Sequence, residues 1–208
     1  FDDDDVALPD ALRRFVAPLE KHPEHGFSYS TFFYTENDEK TGGLGRILRE
    51  SRIPDTKKRG FLIPLLESNF LCGAGLFART TCYQEVGPFE PGLFRAQDYE
   101  MAVRIAHRFT GIRVPGGPTF HYRQHEGERG SANERFEAPR RYEKWLKYDQ
   151  ISFRKIYQEL PLKEYLPPGS RSKGQMRQAL LQRLVVMASK FLMPEVMKDL
   201  HELGRTSN

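Results

Sequence analysis

The sequence predicts a mixed α/β fold carrying a helical C-terminal extension. Two patterns point there. Up to about residue 125, apolar residues alternate between helical and strand spacing; from Arg140 onward the spacing is helical throughout. The size fits as well, since 208 residues suffice for one domain with its own core plus an appendage. With 38% hydrophobic and 29% charged residues the chain reads as soluble and globular, and it has no apolar run near the roughly 18 residues of a membrane span.

The elements follow in order. Phe1 before four aspartates reads as the end of a buried strand opening into a loop. Pro9 and Asp10 introduce an amphipathic helix with Leu12, Phe15, Val16 and Leu19 at helical spacing. Ser28 to Thr35, aromatic and Thr-rich, reads as a strand. Residues 36–60 contain Gly42, Gly43, Gly45, Pro54 and Lys57-Lys58-Arg59, and read as a long loop with one helical turn. A short helix starts at Leu62. Phe70 to Ala78, with Gly73 and Gly75 among apolar residues, reads as a strand or turn where backbone makes a close approach. Thr80 to Val86 is a short helix ended by Gly87. Asp98 to Phe109 is a stronger helix with Tyr99, Ala102, Val103 and Ala106 on one face, stopped by Gly111. Ile112 to Val114 and Thr119 to Arg123 read as strands.

In the extension, Tyr142, Trp145, Leu146, Phe153, Ile156, Tyr157 and Leu160 form one stripe, expected in the core rather than as a platform for sugars. Pro161, Pro167, Pro168 and Gly169 mark a linker, and two helices cover about 173–192 and 194–203. The first has a wide apolar face (Leu180, Leu181, Leu184, Val185, Met187, Ala188, Phe191, Leu192), with Arg177, Arg183 and Lys190 elsewhere. Packing on the domain or on a second subunit, giving a homodimer, is the plainer reading; peripheral contact with a membrane through basic helices is the alternative.

The charge is uneven. Residues 140–208 hold 14 Lys/Arg against 7 Asp/Glu, whereas residues 1–139 hold 18 against 21. The basic tail lacks any nucleic-acid recognition motif, so nucleic acid ranks last among partners. Cys72 and Cys82 form no CxxC or Cys/His cluster, which argues against a zinc site and for packed thiols in a reduced, cytoplasmic setting. The acidic start does not resemble a signal peptide.

Asp2, Asp3, Asp4 and Asp5 are the first candidates for chemistry. Adjacent carboxylates repel one another, and a divalent cation such as Mg²⁺ or Mn²⁺, shared with substrate phosphates, is the simplest reason to gather them. A solvated acidic end or helix-capping aspartates fit the same residues. Asp98, at a helix start, is read either as an N-cap or as a reactive carboxylate. His125 is a candidate third metal ligand or a surface histidine. Arg123 and Arg129 could hold diphosphate oxygens or be solvated.

Order along the chain adds more. The string Phe1-Asp2-Asp3-Asp4-Asp5-Val6-Ala7-Leu8-Pro9 resembles the DxD segment of family 2 inverting glycosyltransferases, where an apolar strand ends in Asp-x-Asp-Asp ahead of a proline. Gly73-Ala74-Gly75-Leu76-Phe77-Ala78-Arg79 is similar to that family's Gly-rich acceptor-side segment, and Tyr83-Gln84-Glu85-Val86-Gly87-Pro88-Phe89 to its turn. Gln97-Asp98-Tyr99-Glu100 with Val103-Arg104-Ile105-Ala106 resembles its Glu-Asp helix start, and Tyr122-Arg123-Gln124-His125 with Ser131 its strand exit.

The resemblance implies a GT-A-like fold, a Rossmann-like mixed sheet, here truncated at the N-terminus: residues 1–139 would be the metal and acceptor side of the catalytic domain and 140–208 a basic helical extension. It implies transfer of a sugar from a nucleoside-diphosphate sugar to a hydroxyl of a glycan or lipid-linked acceptor, with inversion. Asp4 would hold Mn²⁺ or Mg²⁺, Asp2 the metal or the nucleotide's ribose, and Asp98 would be the base. Two departures stand out. Gln97 replaces the usual Glu, and the family's nucleotide-binding front does not precede the acidic run. A non-catalytic module that binds carbohydrate or a partner while keeping the fold is the alternative.

Overall fold

The computed structural model describes residues 2–125, 141–169 and 175–205. It is mixed α/β, with the described strands in two mixed sheets. In the first, β1 (Val6–Ala7) pairs antiparallel with β7 (Phe120–Gln124), β7 runs parallel to β3 (Phe33–Asn37), and β3 pairs antiparallel with β4 (Leu44–Glu50). In the second, β2 (Phe27–Tyr29) lies between antiparallel β5 (Leu76–Ala78) and parallel β6 (Gly111–Arg113). The helices are α1 (Ala11–Lys21), α2 (Thr56–Arg59), α3 (Leu62–Glu67), α4 (Thr80–Val86), α5 (Gln97–Arg108), α6 (Arg141–Glu159), α7 (Met176–Ser189) and α8 (Met193–Arg205), with a 3₁₀ turn at Leu162–Tyr165.

Two strand expectations need correction. The run expected as one strand, 28–35, is split between sheets. Ser30, Thr31 and Phe32 form a buried bend whose backbone bonds reach Gly75, Thr119 and Ser51, so one stretch of chain serves both sheets. The expected loop 36–60 contains β4. Its glycines build a hairpin turn instead of a long loop: Asp38 accepts from the Lys40 N–H and the Thr41 hydroxyl, and Gly42 takes φ +68°. β4 is an exposed edge carrying Arg46, Arg49 and Glu50, charges that discourage further pairing.

Helical spacing explains the buried faces. Ala11, Phe15 and Leu19 of α1 are buried, as are Tyr99, Met101, Ala102, Val103 and Ile105 of α5. Phe153, Ile156 and Leu160 of the extension, with Ala179, Val186 and Met187 of α7, join the same hydrophobic cluster as Phe27, Tyr99 and Ile105. The aromatic stripe of α6 is only partly core: Tyr142 and Trp145 stand exposed at its N-terminal end. The face of α7 is likewise divided, with Leu180 and Met187 buried and Leu181 and Val185 exposed. Lys190, read as lying off the apolar face, is buried. Among the described residues no helix is long and apolar enough to cross a membrane.

Candidate active site

A cleft of about 1490 Å³ opens between the first sheet, the start of α5 and the extension. Its position follows from one pairing. Because β1 runs antiparallel to β7 with Val6 opposite His121, the residues before β1 lie beside those ending β7. The acidic run therefore meets Arg123 and His125, some 120 positions away in sequence. Asp4 Oδ2 lies 2.9 Å from His125 Nε2, and the Arg123 backbone N–H donates to Asp5 Oδ1 at 3.1 Å.

The four aspartates are not equivalent. Asp2 and Asp3 are exposed, Asp4 is half-buried and Asp5 is buried. Burial, with repulsion from Asp4 and Asp2, pushes the Asp5 carboxyl up to about 7, although the Arg123 N–H opposes the shift. Asp5 thus anchors the run to β7, while Asp2, Asp3 and Asp4 face the cleft.

Asp98 lies on the same cleft. Helix α5 begins one residue earlier, at Gln97, behind an Ala96 in the left-handed region (φ +55°), so Asp98 is in the first turn and is not the cap. Its carboxylate is open to the cleft water yet ringed by protein, and that desolvation raises its pKa above the ordinary 3.8. Hydrogen bonds from the Tyr99 N–H and the Asn69 side chain oppose the rise, and the charge of Asp2 adds to it. Gly73, at φ +62°, passes the carboxylate closely: a Cβ there would lie 3.5 Å from Asp98 Oδ2. Gly75 closes the same turn, its N–H bonding the Leu71 carbonyl, and has no room for a side chain against that carbonyl.

Two residues of the extension were missed by sequence reasoning. Lys190, just past α7, places Nζ 3.4 Å from Asp149 Oδ2 and 3.5 Å from the Tyr99 hydroxyl, over the rings of Phe153 and Tyr99. Asp149, Lys190 and Tyr99 all line the cleft with Asp98. Burial raises the Asp149 pKa, Lys190 lowers it and Asp98 raises it further. Neither residue carried a local signal, since each was one charge on an amphipathic helix.

The remaining candidates fall as follows. The Arg123 guanidinium does not line the main cleft. It donates to the Gly42 carbonyl at 2.8 Å and lines a smaller cavity of about 360 Å³ with Asp4, Asn37, Glu39 and His125. Arg129 lies outside the described residues. The Cys72 thiol lines the cleft but is pushed up to about 12 by burial and by the nearby Asp98, so it stays protonated and unreactive, while Cys82 packs in the core against the Gly26 carbonyl. Both cysteines are free.

The donor set suits a divalent cation bound together with phosphate. Asp4 and His125 already touch, with Asp2 on the same wall, and an oxygen–imidazole pair leaves positions for diphosphate oxygens and water. Among the described residues no three His, Cys, Asp or Glu side chains form a ready-made cage. No family model matches the chain, and no curated protein matches its sequence.

Proposed function

We propose that this chain belongs to a metal-dependent glycosyltransferase of GT-A-like fold, moving a sugar from a nucleoside-diphosphate sugar to an acceptor hydroxyl with inversion, in the synthesis of a polysaccharide or glycoconjugate. One observation carries the reading: the Asp4–His125 pair and Asp98, far apart in sequence, line a single cleft. Asp4 and His125, with Asp2, would hold Mn²⁺ or Mg²⁺, whose charge neutralises the leaving diphosphate when bound. Asp98 has the attributes of a base. Desolvation raises its pKa and strengthens its pull on a proton, and the cleft leaves the carboxylate accessible. The acceptor oxygen bonds to the anomeric carbon, the bond from that carbon to the diphosphate oxygen breaks, and the hydroxyl proton passes to an Asp98 oxygen.

Calorimetry with Mn²⁺ and, in turn, UDP, GDP and inorganic pyrophosphate tests this. The expected result is diphosphate binding that requires Mn²⁺ and is lost in Asp4→Asn. Binding that ignores the cation, or no binding to any of the three, would overturn the proposal. The second outcome leaves a non-catalytic carbohydrate-binding module as the surviving alternative.

A further inference from the structure

Three large aromatic side chains stand open to solvent around the cleft that holds Asp98. Phe89 and Phe94 are each 48% exposed and Trp145 is 42% exposed. Apolar surface removed from water is stabilising, so covering these side chains is favourable. Single exposed apolar residues are ordinary; three lining one cleft, from two separate parts of the chain, call for an occupant.

The segment that carries Phe89 and Phe94 is braced by side chains of α5 and α6. Phe89 and Phe94 lie between α4 and α5, a segment clamped from two sides. Arg104 of α5 donates to the Val86 carbonyl at 2.7 Å and the Pro88 carbonyl at 2.8 Å, and is itself braced by Glu100 at 2.8 Å. Glu90 pairs with Lys155 of α6 at 2.8 Å, which ties the segment to the helix that carries Trp145. Tyr83 backs Phe89, with ring centroids 6.5 Å apart. Such bracing lets the rings receive a ligand without paying for loop ordering on binding.

The lining is apolar and polar together. Asn69, Gln97, Asp149 and Lys190 share the cleft with the three rings. A hydrocarbon chain gains nothing from those polar groups. A sugar ring matches both, with a C–H face to lie on an aromatic plane and a rim of hydroxyls for the polar groups. Phe94 and Asp98 line the same cleft, four residues apart in the chain.

We propose that Phe89, Phe94 and Trp145 form a saccharide subsite beside Asp98, and that the acceptor is a glycan held by stacking. This rests on the transferase reading for its role as acceptor, though the binding itself does not. It reverses the expectation that Trp145 belongs to the core, and it makes the helical extension part of the substrate site.

Trp145 is the chain's sole tryptophan, so its fluorescence reports this site alone. The intact chain is titrated with maltose, cellobiose, chitobiose, mannobiose and N-acetyllactosamine, and separately with dodecyl alcohol. At least one disaccharide should shift or quench the emission saturably, and Phe94→Ala should weaken half-saturation about tenfold, the effect of losing one aromatic contact. Saturation-transfer NMR on Trp145→Phe supplies a second readout, with reduced transfer to the sugar expected. No response to any disaccharide, a response to the alcohol alone, or a disaccharide response unchanged in Phe94→Ala would each overturn the subsite. The transferase reading fails separately: disaccharide binding without Mn²⁺-dependent diphosphate binding keeps the subsite and removes the transferase.

Discussion

The acidic run and Asp98 bring carboxylates from two distant parts of the chain to one cleft, in different settings. Asp2 and Asp3 are exposed and adjacent on the cleft. Asp98 is fixed in the first turn of α5, ringed by protein, and held by the Tyr99 N–H and Asn69. Under the proposed function, the exposed carboxylates of the run suit an ion, and the raised pKa of Asp98 suits a base. On that proposal one residue type would serve two chemistries through its surroundings.

That contrast can be broken from beneath Asp98. Lys190→Met leaves Asp149 in its buried place without its cation, and breaking a buried pair of this kind costs about 3 kcal/mol at neutral pH. Asp149 already has a raised pKa, and losing Lys190 raises it further, because Lys190 is what lowers it. A neutral carboxyl has no need of the cation, so the loss should shrink as pH falls through that raised pKa. Urea denaturation at pH 7 and pH 4 reads this; an equal loss at both would assign Lys190 a packing role.

Asp98→Asn sharpens the contrast with a smaller effect of opposite sign. The folded-state pKa of Asp98 lies above its ordinary 3.8, so the folded chain holds this proton more tightly than the unfolded one. Its contribution to stability is greatest at low pH and declines as pH rises through the folded pKa. The Asn variant escapes the decline. It should melt higher than the parent at pH 7 and lose that advantage near pH 3, while transfer falls roughly 10²–10⁴-fold. Calorimetric melting across pH checks the first part. Asp3→Asn at the exposed edge should show no comparable gain.

The smallest effect concerns the approach to Asp98. Ala96 sits at φ +55°, where an L-residue is strained and glycine is not. Ala96→Gly should stabilise the chain by about 0.5–1 kcal/mol, seen as a higher urea midpoint with an unchanged slope. A loss of stability would mean that the Ala96 methyl packs more favourably than its backbone is strained.

Legibility in the sequence followed the range of the interaction. The helices α1 and α5 were legible from apolar residues three and four apart, and α4 from the stop at Gly87, which takes φ +86°. The acidic run, Asp98 and His125 stand in one motif order in the sequence, and Asp2, Asp3, Asp4, Asp98 and His125 all line the cleft. β4 was not, because glycines and charges suit a loop and an exposed hairpin equally, and only the pairing to β3 separates the two. Lys190 and Asp149 were not, because a charge on an amphipathic helix gives no sign of what it will face after α6 and α7 dock. Trp145 misled for a related reason: helical spacing places it in line with Phe153 and Ile156, but the stripe runs past the end of the core and into the cleft.

The buried Lys190 has a consequence for how the molecule comes into being. Translation delivers the acidic run, Asp98 and His125 early, and the cation that pairs with Asp149 beneath them only after all of α7. Until that helix clears the ribosome, Asp149 stands near Asp98 without its counter-charge. A nascent chain can therefore carry Asp4, Asp98 and His125 and still lack the Lys190 that pairs with Asp149 on the same cleft.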